Sequence, residues 1–186
     1  MRKIGIYGGT FDPIHHAHLI LAREARERLA LDKIIFVPAA ISPFKESPVA
    51  SAEDRLQMLR AGIENETGFA IDEMELHRAP PSYTIDTIEQ IRTRERDTDI
   101  FCLVGQDNVA GLSRWHRFEE LQKLVTFVVL DRTGEEASHS YLVVQRKIDI
   151  SATEIRKRVA SQCSIRYLVP EAVEEIIRRR GLYREK

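Results

Sequence analysis

Two glycines and a pair of histidines stand close together near the start of the chain, in Gly8-Gly9-Thr10-Phe11-Asp12-Pro13-Ile14-His15-His16-Ala17-His18. Glycines let a backbone turn tightly and approach a ligand closely. A helix starting behind such a turn presents unpaired N–H groups and a partial positive charge, a combination that holds phosphate. His15 and His18 are three residues apart, so at a helix start they project from one face toward whatever occupies the site. The same residues also read as a glycine turn with surface histidines, Asp12 bracing the turn. Zinc is disfavoured, because His-x-x-His lacks the i,i+4 spacing and the glutamate of the helical zinc motif. The sequence has neither the Gly-x-x-x-x-Gly-Lys-Ser/Thr loop nor the Gly-x-Gly-x-x-Gly fingerprint, so those two routes to phosphate binding find no support.

A second set of anion-binding residue types lies in Ile150-Ser151-Ala152-Thr153-Glu154-Ile155-Arg156. Ser151 reads as a helix cap, Thr153 falls in the first turn, and Arg156 lies a turn later on the neighbouring face. Hydroxyls, helix N–H groups and a guanidinium then converge on an anion. Taken alone, the segment is more simply a capped surface helix.

The elements that must position these residues alternate between strand and helix, the pattern of a parallel sheet covered by helices. Lys3–Tyr7 and Lys33–Val37 are short apolar runs suited to buried parallel strands. His16–Ala30 between them reads as a crossover helix with Leu19, Ala22, Arg26 and Leu29 on one stripe. Ser51 opens a second helix, with Asp54 three residues on and Leu56, Leu59 and Ile63 as its apolar face. Phe69–Asp72, Asp99–Val104, Val125–Leu130 and Tyr141–Gln145 read as further strands. Thr84–Arg96, carrying Ile85, Ile88 and Ile91, reads as a helix, as do Phe118–Leu124, Ser151–Ala160 and Pro170–Arg179. Pro170 suits a first helical position and Gly181 a helix end. The polar stretch Asp131–Ser140 reads as a mobile loop; Arg132 in it follows a strand and could face a ligand there, but reads more simply as an exposed charge. Ligands of such open sheets bind at the carboxyl ends of the strands.

Composition narrows the function class. The 186 residues are the length of one domain, and 28 Lys+Arg against 29 Asp+Glu leave a net charge of −1. That balance argues against a broad nucleic-acid surface while allowing a local cationic cluster. No apolar run approaches the ~20 residues of a membrane span, and the N-terminus reads as a strand rather than a signal peptide. Cys102 and Cys163 match no metal or redox spacing; Cys102 reads as a buried thiol, and the usage fits a reducing cytoplasm.

Gly9-Thr10-Phe11-Asp12-Pro13 with His15-x-x-His18 resembles the signature of the nucleotidylyltransferase superfamily that carries the (His/Thr)-x-Gly-His motif, with Ala17 in place of the usual glycine. The Ser151-Ala152-Thr153 segment resembles that superfamily's Ile-Ser-Ser-Thr-x-Ile-Arg motif, with Ala152 for the second serine. Three more segments resemble the bacterial nicotinate-nucleotide adenylyltransferase family: Pro38–Lys45, with Phe44 where histidine is usual; Pro81-Ser82-Tyr83-Thr84-Ile85-Asp86-Thr87; and Gly105-Gln106-Asp107 followed by Trp115-His116. Arg166–Pro170 and Gly181-Leu182-Tyr183 resemble its tail, so the likeness spans essentially the whole chain.

The resemblance implies a doubly wound parallel sheet of Rossmann-like form, residues 1–150, with a small C-terminal helical part, residues 151–186, in one domain. It implies adenylyl transfer from ATP to nicotinate mononucleotide, giving deamido-NAD and pyrophosphate. Another acceptor, such as nicotinamide mononucleotide, phosphopantetheine or glycerol phosphate, or a non-catalytic nucleotide sensor, is the alternative. ATP would lie against Gly8, Gly9, Thr10, Phe11, His15, His18, Gly105, Asp107, Ile150, Ser151, Thr153 and Arg156, with His15, His18 and Arg156 the catalytic set. Nicotinate mononucleotide would lie against Lys45, Ser82, Tyr83, Thr84, Trp115 and His116, Trp115 stacking on the pyridine ring. Mg²⁺ would arrive with ATP, because no carboxylate cluster makes a dedicated cage. Whether copies of the chain associate stays open.

Overall fold

The computed structural model describes residues 1–40, 47–79, 81–134 and 139–184. β1 (Arg2–Gly9) is buried from Ile4 to Tyr7, as an apolar run flanked by strands on both sides must be. It pairs in parallel with β2 (Lys33–Pro38) on one side and with β4 (Thr98–Gly105) on the other. β3 (Phe69–Ile71), β5 (Thr126–Asp131) and β6 (Leu142–Gln145) extend the sheet outward. Among the described residues the order is β3-β2-β1-β4-β5-β6, all parallel. The doubly wound sheet expected from the sequence is therefore present, with each strand within two residues of its expected bounds.

The helices form two layers. α1 (His16–Arg28), α2 (Ala52–Ile63), α5 (Ala152–Ala160) and α6 (Glu171–Arg180) bury residues in one core with Tyr7, Ile34, Phe36 and Leu103. α3 (Thr84–Arg94) and α4 (Phe118–Leu124) build the other core with Ile4, Ile6, Ile35 and Cys102. A fully buried aliphatic side chain contributes about 1.5–3 kcal/mol, so each layer is held mainly by its Ile, Leu and Val residues. Ser51 and Ser151 cap α2 and α5 by accepting from the Asp54 and Glu154 N–H groups at 3.1 Å. Gly181 closes α6 in the left-handed region, and Pro170 caps that helix, one position before the expected place.

Four details correct the sequence reading. The buried face of α1 is Ala17, Leu21, Ala22 and Ala25, so only Ala22 of the expected stripe lies on it. Alanines let the helix axis come close to the sheet, and Leu19 and Leu29 are left half-buried at the margin of the core. The buried face of α2 includes Arg55 and Met58 as well as Leu59 and Ile63, with Leu56 half-buried. A 3₁₀ helix, Gln106–Arg114, follows β4 where no element was expected. Asp131 is the buried last residue of β5 and not the start of a loop; residues 135–138 of that stretch lie outside the described ones.

The first turn is fixed by Asp12, which is 5% exposed. Its carboxylate accepts from the Val49 N–H at 2.7 Å, the Ala50 N–H at 3.3 Å and the Tyr183 hydroxyl at 2.6 Å. The expectation that Asp12 braces the turn holds, with partners from far along the chain. Removing one donor from a buried acceptor leaves it under-satisfied, which costs about 1–3 kcal/mol. Tyr183→Phe should therefore lower the unfolding free energy by about that amount, measured by urea denaturation. A variant within a few tenths of wild type would show that Asp12 does not depend on the hydroxyl.

Candidate active site

The strand order reverses between β1 and β4, and both strands end there in glycine: Gly8 and Gly9 on β1, Gly105 on β4. Such a switch point opens a crevice at the carboxyl ends of the strands. Two cavities meet at it. One lies toward α1 and is lined by His15, His18, Asp107, Arg132, Thr153 and Arg156, among others. The other lies toward α3 and is lined by Glu75, Ser82, Tyr83, Thr84, Trp115 and His116, among others. Gly8, Gly9, Thr10, Gly105 and Asn108 border both. The glycines are not alike. A Cβ on Gly9 would sit 2.9 Å from the Phe11 ring, so packing demands that glycine; a Cβ on Gly8 would meet nothing within 4 Å.

On the α1 side the two histidine rings stack, with centroids 3.7 Å apart and planes at 21°. His18 Nδ1 accepts from the His15 N–H at 3.3 Å, so a neutral His18 carries its proton on Nε2. His15 is 1% exposed. Burial, with Arg132 and His16 adding to it, pushes its pKa down to about 3, so the ring is neutral near pH 7. Arg156 donates to the Asp12 carbonyl at 2.7 Å and to the Thr153 hydroxyl at 3.3 Å, which joins the two anion-binding segments in one cleft. Ser151 and Ala152 border it too. Phe11 borders the cleft, yet its ring is buried against Tyr7 and Phe36 with centroids 5.5 and 5.6 Å away, so it is chiefly a brace. Ile150 does not reach the cleft wall; its side chain packs on the core, and its carbonyl accepts from Arg132 at 2.7 Å. Among the described residues, no three His, Cys, Asp or Glu side chains gather so as to hold a metal ion.

On the α3 side Tyr83 and His116 pack ring against ring, centroids 4.4 Å apart. Trp115 is half-buried, edge-on to Phe127 at 6.3 Å. α3 begins at Thr84, so its first N–H groups have no partner within the helix, and Thr84 lines the cavity. Cys102 lines this cavity as the expected buried thiol, its pKa pushed up to about 12 by burial. Lys45 and Phe44 lie outside the described residues.

Sequence reasoning missed several members. Arg132 is half-buried in the cleft wall and not an exposed charge; its place just after a strand was the available signal. Asp131 holds that corner. Burial opposes its ionisation, but hydrogen bonds from Gln145, Thr133 and Gly134 keep its carboxyl below the usual range. Arg55 is 1% exposed and donates to the Thr10 carbonyl at 2.7 Å and the Ala39 carbonyl at 2.8 Å, tying the ends of β1 and β2 together. Its spacing of three and four from Met58 and Leu59 marks it as facing inward. Glu75 had no motif to mark it.

A doubly wound sheet with a phosphate-type cleft and an aromatic cavity at one switch point defines a nucleotide-handling α/β protein. A family model described as cytidylyltransferase-like matches residues 6–158. Curated relatives from Exiguobacterium sibiricum and Geobacillus thermodenitrificans bear the name "probable nicotinate-nucleotide adenylyltransferase". The first is 41% identical, covering 97% of this chain and 98% of its own length; the second is 44% identical, covering 98% and 87%. The solved Plasmodium falciparum nicotinic acid mononucleotide adenylyltransferase complexed with NaAD has the same fold, with a TM-score of 0.84 at 19% identity over 98% of each chain. The chain belongs to the cytidylyltransferase-like family, and within it to the nicotinate-nucleotide adenylyltransferases.

The neutral, buried His15 has a consequence for stability. Its folded pKa, about 3, lies below the usual 6.5. Its contribution is therefore complete above pH 6.5 and is lost as pH falls toward 3, where the unfolded chain takes up a proton that the native ring refuses. Urea midpoints measured from pH 7 to pH 4 should fall less steeply for His15→Gln than for wild type. Parallel curves would mean that the ring protonates freely in the native state.

Proposed function

We propose that the protein transfers the adenylyl group of ATP to nicotinate mononucleotide, giving deamido-NAD and pyrophosphate. The observation that carries this reading is the meeting of two chemically different cavities across a glycine-lined border. The triphosphate lies in the α1-side cleft, against His15, His18, Ser151, Thr153, Arg156 and Arg132. The nicotinate ring lies in the α3-side cavity beside Trp115, its carboxylate facing the N–H groups at Thr84 and His116. Lys45 serves the acceptor phosphate, and Asp107 the ribose hydroxyls. The two phosphates then meet along Gly8, Gly9 and Gly105, where a side chain would intrude.

The acceptor phosphate oxygen attacks the α-phosphorus in line, and pyrophosphate leaves. A phosphate is already ionised near neutral pH, so the step needs no strong general base. The buried Cys102 is no nucleophile, because its thiolate is inaccessible near neutral pH; transfer is direct, without an enzyme-bound intermediate. The chain contributes positioning and preorganised charge. Arg156, pinned by the Asp12 carbonyl, keeps its positive charge toward the leaving group. His18 offers Nε2–H to the transferring phosphate. The donor set fits Mg²⁺ carried by the nucleotide: the cleft supplies cations and N–H groups, and Asp12 is committed to three donors. When bound, the ion would neutralise charge on the phosphate oxygens.

Pyrophosphate release on mixing with ATP and a panel of acceptors tests the reading. Nicotinate mononucleotide should be preferred over the amide form by ~10–100-fold in kcat/KM, since an amide leaves a polar group unpaired at a cost of ~1–3 kcal/mol. Equal values would refute the donor arrangement, and turnover with phosphopantetheine or glycerol phosphate alone would replace the acceptor. His18→Ala should lower kcat by ~10²–10³ in a folded protein, the usual effect of losing one preorganised stabiliser. Turnover near wild type would remove His18 from the mechanism.

A further inference from the structure

A carboxylate in the wall of a cavity that takes an anionic ring needs an explanation. Glu75 is 7% exposed and borders the α3-side cavity. Burial pushes its carboxyl above the usual range, against the opposing pull of Thr87, Arg78 and Ser82. Its partners are specific. The Thr87 hydroxyl donates to Glu75 at 2.6 Å. The Arg78 guanidinium donates to the same hydroxyl at 3.0 Å and to the Tyr83 carbonyl at 3.4 Å, and stands 4.0 Å from the Glu75 carboxylate.

These contacts close a loop around the start of α3. Tyr83 is the cap residue of that helix, and its carbonyl accepts the Thr87 N–H only at 3.4 Å. The backbone bond that would fix the first turn is therefore long, and the side chains of Glu75, Thr87 and Arg78 hold the turn in its place. The next residue along the chain, Thr84, is the first of the helix and lines the cavity. Arg78 Nε and Nη1 and Ser82 Oγ are left without a partner, so the turn is held by the bonds from Thr87 to Glu75 and from Arg78 to Thr87 and the Tyr83 carbonyl, which are strengthened by their burial. Donors held to within a fraction of an ångström are what ligand discrimination requires.

We infer that Glu75 is a positioning residue of the acceptor site, acting through Thr87 and Arg78 to fix the N-terminal turn of α3 that receives the ring carboxylate. The inference rests on the α3-side cavity being the acceptor site. It assigns Glu75 no contact with the reacting atoms. Arg78 offsets its charge locally, so the anionic ring meets helix N–H groups rather than a bare carboxylate.

Direct binding tests this without turnover. Trp115 is the only tryptophan of the chain and lines the cavity, so its fluorescence reports acceptor binding. Nicotinate mononucleotide should bind Thr87→Val at least ~10-fold more weakly than wild type, a loss of one charge-assisted hydrogen bond's order. Thr87→Ser, which keeps the hydroxyl, should stay within about threefold. Glu75→Leu should behave as Thr87→Val, and Glu75→Gln, which keeps an acceptor for Thr87, should recover much of the affinity. In turnover the acid-over-amide ratio should fall for the two weak variants, while KM for ATP stays within about twofold. Should Glu75→Leu fail to fold, the Thr87 pair carries the test. Wild-type affinity in Thr87→Val, or an unchanged acid-over-amide ratio with a raised KM for ATP, overturns the inference. Binding by wild type without pyrophosphate release would sink the reaction above and leave this assignment standing; absence of binding by wild type overturns both.

Discussion

The buried carboxylate of Asp12 connects parts of the chain that otherwise have no reason to meet. Its oxygens collect donors from the lead-in to α2 and from Tyr183 near the C-terminus, and its own carbonyl accepts Arg156 from α5. A buried charge without partners would be strongly unfavourable, so these segments are held where the carboxylate needs them. Arg55 stands on the same side: the Asp12 charge favours its ionised form, against the dominant effect of burial. It grips the Thr10 carbonyl. The turn after β1 is thus clamped by guanidinium groups donating to its carbonyls at Thr10 and Asp12. A guanidinium bonded to a neutral carbonyl keeps its full charge, so the positive field in the cleft is in place before any phosphate arrives, and little reorganisation remains for the reaction.

The two cavities divide the electrostatic work. The α1 side gathers Arg132 and Arg156 around a histidine pair that burial keeps neutral at His15. The α3 side is aromatic and relies on helix N–H groups for polarity. The chain as a whole has a net charge of −1, so the cationic cleft is a local arrangement and not a general polyanion surface. At the border, Gly9 is explained by Phe11, whereas nothing in the packing explains Gly8. A position with open space and no side chain, at the junction of two cavities, is best understood as room for a ligand.

Much of this was legible in the residues. The apolar runs gave the strands because a parallel strand buried on both faces has no polar alternation to confuse the reading. The glycine turn and the histidine pair could be read as a phosphate site because their chemistry depends on local spacing at one helix start, whereas the Ser151–Arg156 segment, alone a capped helix, took its phosphate reading from the resemblance. What escaped depends on distance in the chain. Arg55, Arg78 and Glu75 bond to carbonyls and hydroxyls elsewhere, and a charged residue whose partner lies outside its own element looks like surface. Arg132 was misjudged on the same ground. The rotation of α1 was hidden for another reason: alanine buries less area than leucine but permits closer approach, and periodicity of large residues cannot weigh that difference. The 3₁₀ helix after β4 repeats every three residues and carries a glycine at 111, so the 3.6-residue period did not mark it.

Handedness explains why the cavities lie on opposite faces of the sheet. The path β1 to β2 to β3 runs one way across it, and α1 and α2 cover one face. The chain then turns back past β1 to reach β4, and a right-handed crossover in the reverse direction must pass over the other face. α3 makes that crossing and packs there. The start of α1 and the start of α3 therefore flank the glycine border from opposite sides, whatever side chains they carry. Two helix N-termini, each suited to an anion, flank one glycine-lined border between the cavities. Two anionic substrates bound at those termini meet only across that border. In the proposed direct transfer between phosphates, the alignment is a property of the strand order before it is a property of any side chain. In the same proposal the side chains then decide which phosphates come: Arg156 and the histidines on one face, and on the other the turn of α3 beside Trp115.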